Sequence, residues 1–189
     1  MKKALVFVAC FAVLGAVGLA RQGGAAAPAP QLPTSVSAEV NVFYTNIAGF
    51  ITRSAAMVPA EKFTWQPTPE VRSFARLFAH ITDDNNSACA AMAGVTPAPG
   101  RVDTGSAGAW AADKMSKADL EKGLADSVAL CQKAFASVTS GNMMESAGGR
   151  GTRTKIGMLI YNTSHVNEHY GNLVTYLRLN GMVPPSSQR

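Results

Sequence analysis

The chain has 189 residues and only three histidines, two of which lie four residues apart. On a helix, His165 and His169 would lie on one face about one turn apart, where two imidazoles can chelate one ion. A third ligand must come from another element, and His80 is the only remaining histidine. Three neutral nitrogen ligands and an open position are typical of a catalytic site rather than a closed structural site.

The spacing alone does not decide between a metal site and ordinary helical histidines. Histidine pairs four residues apart arise often by chance, and most helical histidines are surface or core residues with satisfied hydrogen bonds. The pattern also differs from that of zincins, because Glu168 precedes the second histidine instead of following the first. Glu168 could act as a general base, although an ion pair at the edge of the fold is the simpler expectation.

Other polar residues lie at helical spacing from the histidines. Asp83 and Asp84 follow His80 by three and four residues, so either could orient an imidazole or bind the ion directly. The simpler alternative is that both solvate the helix surface. Tyr161 and Asn172 could line the approach to the ion.

A basic, glycine-rich segment precedes the last predicted helix. Arg150, Arg153 and Lys155 could hold an anionic group at the start of that helix, whereas a flexible, solvated loop is the simpler expectation. The glycines lack the spacing of a P-loop, so this segment does not predict a nucleotide site.

Apolar residues at three- and four-residue steps predict the helices that would position these side chains. The first is expected over residues 35–58, the second over 73–92, the third from Ser116 to just before Gly141, and the fourth over 154–180. No segment has a sustained period of two, so we predict an all-α four-helix bundle. The long connections before and after the second helix leave room for neighbours that are not consecutive in sequence.

Two details of this bundle are expectations about which side chains are buried. In the first helix, one mainly apolar stripe is expected to face the core; it consists of Val36, Val40, Phe43, Ile47, Phe50, Ser54 and Met57. In the connection over residues 60–70, Phe63 and Trp65 are expected to lie on the bundle surface as anchors of an extended segment.

The N-terminal residues have the features of an export signal. Lys2 and Lys3 precede an apolar run from Ala4 to Ala20, and the run ends in a small-x-small cleavage site. A second such site lies within residues 25–27. An uncleaved membrane anchor is the alternative interpretation.

Cleavage would divide the chain into three parts. We expect a signal peptide at residues 1–20, a flexible leader rich in Ala, Pro and Gly at 21–33, and the folded domain at 34–185. The protein would then be periplasmic or secreted, with no membrane association after cleavage.

Charge and cysteine content restrict the possible partners and the compartment. The formal net charge of +5 falls when Lys2 and Lys3 are removed, and no basic run interleaved with aromatic residues occurs, so nucleic acid is not an expected partner. Cys89 and Cys131 remain after cleavage. In an oxidising compartment they could pair, and buried free thiols are an equally good expectation.

Two motifs resemble those of a known family. Residues 71–81 (VRSFARLFAHI) resemble the second-helix signature of DinB-like proteins, and residues 165–173 (HVNEHYGNL) resemble the fourth-helix signature. The Phe63-x-Trp65-x-Pro67 connection is also similar, so the resemblance extends over roughly residues 36–185. It implies a DinB-like four-helix bundle in which His80, His165 and His169 bind one divalent ion, namely zinc, nickel, iron or manganese.

The resemblance implies several kinds of function. Some DinB-like proteins use the metal to lower the pKa of a low-molecular-weight thiol, which then attacks an electrophile or assists an isomerisation. Those thiols are mainly cytoplasmic, so export would favour hydrolysis, or non-catalytic metal binding in a stress response. The intact triad argues against a purely structural or partner-binding bundle. A small-molecule substrate and a homodimer would fit the resemblance, but the sequence itself identifies neither.

Overall fold

Four helices account for most of the residues that the computed structural model describes, which are residues 32–96, 111–148 and 152–188. Helix α1 spans Val36–Met57, α2 spans Phe74–Ala90, α3 spans Lys117–Ala136 and α4 spans Lys155–Leu179. Within those ranges there is no strand, only an isolated bridge between Ser146 and Thr154. The predicted all-α four-helix fold is therefore confirmed.

Each helix begins where a hydroxyl group caps its first turn. The side chains of four residues accept a hydrogen bond from the backbone N–H three residues further along: Ser35, Ser73, Ser116 and Thr154. Such a cap typically stabilises a helix by about 1 kcal/mol. The caps explain why the helix starts were predictable to within one residue.

Helix α3 ends earlier than predicted, at Ala136. The Asn142 side chain accepts a hydrogen bond from the Thr139 N–H (2.8 Å) and donates one to the Ser137 carbonyl (3.0 Å). These local bonds compete with the continuation of the helix, so the chain turns before it reaches Gly141.

The order of the helices around the bundle differs from their order in sequence. Each of α1 and α2 packs against both α3 and α4, so α1 and α2 lie diagonally opposite each other. Lys62, which follows α1, donates a hydrogen bond to Asn180 at the end of α4 (2.9 Å), so these two helices run in the same direction. The Asn85–Ser127 hydrogen bond and the Cys89–Cys131 disulfide similarly show that α2 and α3 are parallel.

Helices α2 and α4 are antiparallel neighbours. Near the start of α2, the Tyr176 hydroxyl donates to the Arg72 carbonyl (3.0 Å), and further along α2 the Asn162 amide donates to Asn85 (3.1 Å). The directions of the four helices are therefore up, down, down and up. This arrangement places the middle of α4 beside the middle of α2, where the three histidines lie.

The buried face of α1 matches the predicted one only in part. Ile47 and Ser54 are buried as predicted, but Val36 and Phe43 are 58% and 55% exposed. Tyr44 and Ile51, which lie outside the predicted stripe, are almost fully buried. Because α1 packs against both α3 and α4, side chains beside the predicted stripe are buried as well. Only part of that stripe is covered; Phe50, for example, stacks on Tyr170 of α4.

The connection between α1 and α2 also differs from the prediction. Phe63 is buried, with its ring 5.7 Å from that of Phe78, and Trp65 is half-buried against Phe74 and Tyr176. The Phe63 and Trp65 carbonyls accept hydrogen bonds from the first amides of α2. These aromatics are therefore part of the core, and they fix the start of the helix that carries His80.

The disulfide between Cys89 and Cys131 answers a question that the sequence left open. Both cysteines are fully buried, and the amide of Asn162 approaches both sulfur atoms. Asn85 accepts hydrogen bonds from Asn162 and from the Tyr44 hydroxyl. A polar layer thus crosses the bundle at the level of the disulfide, and it links α1, α2 and α4.

The predicted signal peptide and most of the leader lie outside the described residues. Within the described part of the chain, no helix combines the length and the apolar character needed to span a bilayer.

Candidate metal centre

The three histidines come together between α2 and α4. His80 lies in the second turn of α2, and His165 and His169 lie on one face of α4. The centres of the His165 and His169 rings are 4.4 Å apart, and the His80 ring lies 5.3 Å and 4.7 Å from them, respectively. The predicted triad therefore forms one cluster, because antiparallel packing brings one turn of α2 against the middle of α4.

One of the two predicted carboxylates joins this cluster. The Asp84 Oδ2 atom lies 3.0 Å from His80 Nε2 and 3.2 Å from His165 Nδ1. Asp84 and the three histidines each offer one ligand atom, and these atoms all lie within 4.8 Å of one another. Asp83 is buried but does not belong to this group. Positions three and four residues after His80 both lie near its helical face, and the contact with His165 of α4 is what distinguishes Asp84.

The arrangement of the polar atoms suits a bound cation. The Nε2 atoms of His165 and His169 lie 3.0 Å apart. Ligand atoms around a tetrahedral zinc ion with bonds of 2.0–2.1 Å are separated by about 3.3 Å. In addition, Asp84 Oδ2 and His165 Nδ1 are inaccessible to solvent and have no hydrogen-bond partner of regular geometry among the described residues. A nearby cation would compensate for the burial of the Asp84 carboxylate.

The electrostatic environment keeps His169 and Asp84 in the forms that bind metals. Burial, reinforced by the neighbouring His165 and His80 and by Arg72, lowers the pKa of His169 to about 3. His169 is therefore neutral at physiological pH, as a metal ligand must be. Burial opposes ionisation of Asp84, but the contact with His80 and the nearby imidazoles together lower the pKa of this carboxyl below its ordinary value.

Two side chains contact the outer nitrogen atoms of the histidines. The Asn172 amide nitrogen lies 3.4 Å from His169 Nδ1, so this predicted residue lies beside a ligand. The Arg72 Nη2 atom lies 3.4 Å from His80 Nδ1. Arg72 was not predicted as a site residue, because it precedes α2 and therefore has no helical spacing to His80.

Tyr161 and Arg153 lie on the His165 side of the cluster. The Tyr161 ring is parallel to the His165 ring, with their centres 5.9 Å apart, and the Arg153 guanidinium carbon lies 4.2 Å from the Tyr161 ring centre. Arg153 is exposed, as expected for a solvated loop, but its guanidinium group contacts α4 through Tyr161. Lys155 instead pairs with Glu145 (2.7 Å), and Arg150 lies outside the described residues.

Glu168 does not belong to the cluster. Its side chain is exposed on α4, although it directly precedes His169 in sequence. Adjacent residues on a helix point about 100° apart, so Glu168 faces away from the ligand side. This position supports the surface role rather than the role of general base.

Comparison with known proteins identifies one family. Residues 51–173 match the DinB superfamily, and this segment includes all three histidines and Asp84. No curated protein matches the chain.

Proposed function

Because the chain belongs to the DinB superfamily, we propose that it binds one divalent metal ion through His80, His165 and His169. The observation that carries this proposal is the convergence of three imidazoles and one carboxylate, with ligand atoms within 4.8 Å of one another. Zinc, nickel, iron and manganese all suit imidazole ligands, and the donor set does not choose among them.

In this proposal Asp84 orients the ligands. Its Oδ2 atom lies 3.2 Å from His165 Nδ1. A carboxylate that accepts the proton on this nitrogen holds the imidazole in the tautomer whose Nε2 lone pair is available to the ion. Asn172 lies beside Nδ1 of His169 through its amide nitrogen (3.4 Å), and a rotation of the amide by about 180° would bring its oxygen there to do the same for that ring.

The function that fits this site best is that of a metal-dependent enzyme acting on a small molecule. Three histidine ligands leave one position for an exogenous group, as in catalytic sites. A divalent ion held there would supply Lewis-acid chemistry, which suits thiol transfer or hydrolysis. His165 and His80 keep 18% and 14% of their side chains exposed, so the proposed centre is accessible from solvent on their side.

A second candidate is non-catalytic metal binding, and the position of Asp84 favours it. If the carboxylate that lies 3.0 Å from His80 Nε2 binds the ion as well, the protein supplies four ligands. Four protein ligands close the coordination sphere, as in structural sites. A metal-handling or stress-related protein would then be the better description.

Elemental analysis of the purified protein tests the metal site. We expect one divalent ion per chain, and we expect His165→Ala to abolish it because a two-histidine site binds far more weakly. Asn167→Ala, an exposed change on the same helix, is the matched control and should retain the ion. Full occupancy in His165→Ala would refute the proposed ligand set. Assays for thiol consumption and ester hydrolysis on the loaded protein then separate an enzyme from a metal-binding protein.

We also propose that the protein is exported. The basic and apolar N-terminal residues support this proposal. The buried Cys89–Cys131 disulfide supports it independently, because structural disulfides are rare in the cytosol. Mass spectrometry of protein from an extracytoplasmic fraction should show an N-terminus after Ala20 or within residues 25–28. An intact N-terminus on protein that stays in the cytoplasm would contradict export.

A further inference from the structure

The exposed side of the candidate metal centre is extended by one aromatic ring along α4. Tyr161 lies one turn before His165, is 42% exposed, and has its ring nearly parallel to the His165 ring, at an interplanar angle of 5°. A small molecule that contacts the ion from the side of His165 would therefore lie next to the Tyr161 ring.

The guanidinium group of Arg153 covers the Tyr161 ring. Its central carbon lies 4.2 Å from the ring centre, a distance typical of a cation–π contact. Stacking leaves the N–H groups of an arginine available in its plane, where they can bind a carboxylate with two hydrogen bonds. Among the described residues, no carboxylate forms an ion pair with Arg153.

The backbone around Arg153 is held in place. The Arg153 carbonyl accepts a hydrogen bond from Ala147 N–H (3.0 Å), and the Lys155 N–H donates one to the Glu145 carbonyl (2.8 Å). Glu145 also neutralises Lys155 through its side chain. Of these two basic residues, Arg153 is thus the one left to attract an anion.

The first turn of α4 is not an alternative site for that anion. Its amide groups already donate to the Glu145 and Met143 carbonyls and to the Thr154 hydroxyl. An anion near the start of α4 therefore has the Arg153 side chain, and not the helix N-terminus, as its donor.

We infer that the site takes an elongated small molecule with an anionic oxygen group, such as a carboxylate, at the end opposite the group that meets the ion. Arg153 binds the anionic group, and Tyr161 supports both the guanidinium and the middle of the ligand. This inference rests on the proposed metal site. It names the class of ligand and assigns Arg153 as the residue that determines specificity.

Hydroxamates provide a direct test, because they chelate a metal ion and contain no thiol that would attack the disulfide. The probes are suberic acid monohydroxamate, which has a distal carboxylate, octanohydroxamate, which is the neutral analogue, and acetohydroxamate, which is too short to reach Arg153. Their dissociation constants are measured by isothermal titration calorimetry on the metal-loaded protein.

We expect suberic acid monohydroxamate to bind about tenfold more tightly than octanohydroxamate, because its distal carboxylate can form a charge-assisted hydrogen bond. Arg153→Gln should remove this advantage without changing the affinity for acetohydroxamate or the metal content. Arg178→Gln, which removes an exposed arginine at the far end of α4, should keep the advantage. Tyr161→Phe should also keep it, because the ring supports the guanidinium without its hydroxyl group, whereas Tyr161→Ala should reduce it.

The outcomes separate the two proposals. The inference is overturned if the charged and the neutral long probes bind with equal affinity, or if the charged probe still binds more tightly in Arg153→Gln. In either case, binding of metal and of acetohydroxamate would still support the metal site. A protein that binds neither metal nor acetohydroxamate refutes the proposed function, and the inference falls with it.

Discussion

At the scale of single residues, the composition of the site depends on which of two adjacent aspartates contacts the histidines. Asp83 and Asp84 are adjacent carboxylates with similar sequence spacing to His80, yet only Asp84 contacts the histidines. The difference is the direction of the side chain around the helix, which changes by about 100° per residue. The spacing from His80 favours position 84 only slightly; the contact with His165 on the opposite helix is what distinguishes it.

Asp84→Asn tests the orienting role of this carboxylate. The change preserves the size of the side chain but removes its charge, so we expect the metal affinity to fall about 10- to 100-fold. Competition with a chromogenic chelator measures this affinity. Glu168→Gln is the control, because it removes an exposed carboxylate on α4 that does not belong to the cluster.

The size of the effect also separates the two candidate functions. A loss well beyond 100-fold would mean that Asp84 binds the ion itself, which favours the closed, non-catalytic site. Unchanged affinity would show that Asp84 has no part in the site.

At the scale of elements, the disulfide and the polar layer fix how the helices pack. Cys89 and Cys131 join the parallel helices α2 and α3. Asn85 directly follows Asp84, and it bonds to Asn162 of α4 and to Ser127 of α3. The same turn of α2 therefore contributes a carboxylate to the site and an amide to the core.

Replacing both cysteines by alanine should destabilise the bundle. The bond joins residues separated by 42 positions, and closing a loop of this length contributes about 4 kcal/mol by chain entropy, in a measured range of roughly 2–5. Urea denaturation gives the free energy of unfolding. The metal content of the folded double variant should stay near that of the unmodified protein, since neither cysteine belongs to the candidate ligand group.

A substitution at an exposed position is the control for the effect of changing any residue of α3. Ala129→Ser lies on the exposed side of α3 and should change the free energy of unfolding by less than about 0.5 kcal/mol. A cysteine-free protein that is as stable as the unmodified one would show that the disulfide does not stabilise the fold.

At the scale of the whole molecule, a metal ion bound to His80 of α2 and to two histidines of α4 would join two antiparallel helices. Binding to the folded chain alone stabilises it, by about 2.7 kcal/mol when the free metal is at 100 times its dissociation constant. For a domain of this size, that corresponds to a rise in Tm of about 5 to 10 °C.

Calorimetry of the loaded and the chelator-treated protein measures this shift. His165→Ala should show the same Tm with and without metal, because it lacks the ligand set. An equal Tm for loaded and stripped unmodified protein would contradict a metal ion that joins α2 and α4.

The sequence alone predicted the features that depend on residues close together in the chain. Hydroxyl caps and apolar spacing located the four helices, and the separation of His165 and His169 placed two ligands on one face, because these patterns act within one or two turns. Packing between distant segments determined which side chains are buried and which ones meet at the site. The diagonal placement of α1 and α2 brought Tyr44, and not Phe43, into the core, and the connection buried Phe63. The contact of α2 with α4 selected Asp84 and brought His80 to the other two histidines, since those contacts join residues that are far apart in sequence. Arg72 reaches His80 from the connection that precedes α2, where no helical spacing applies.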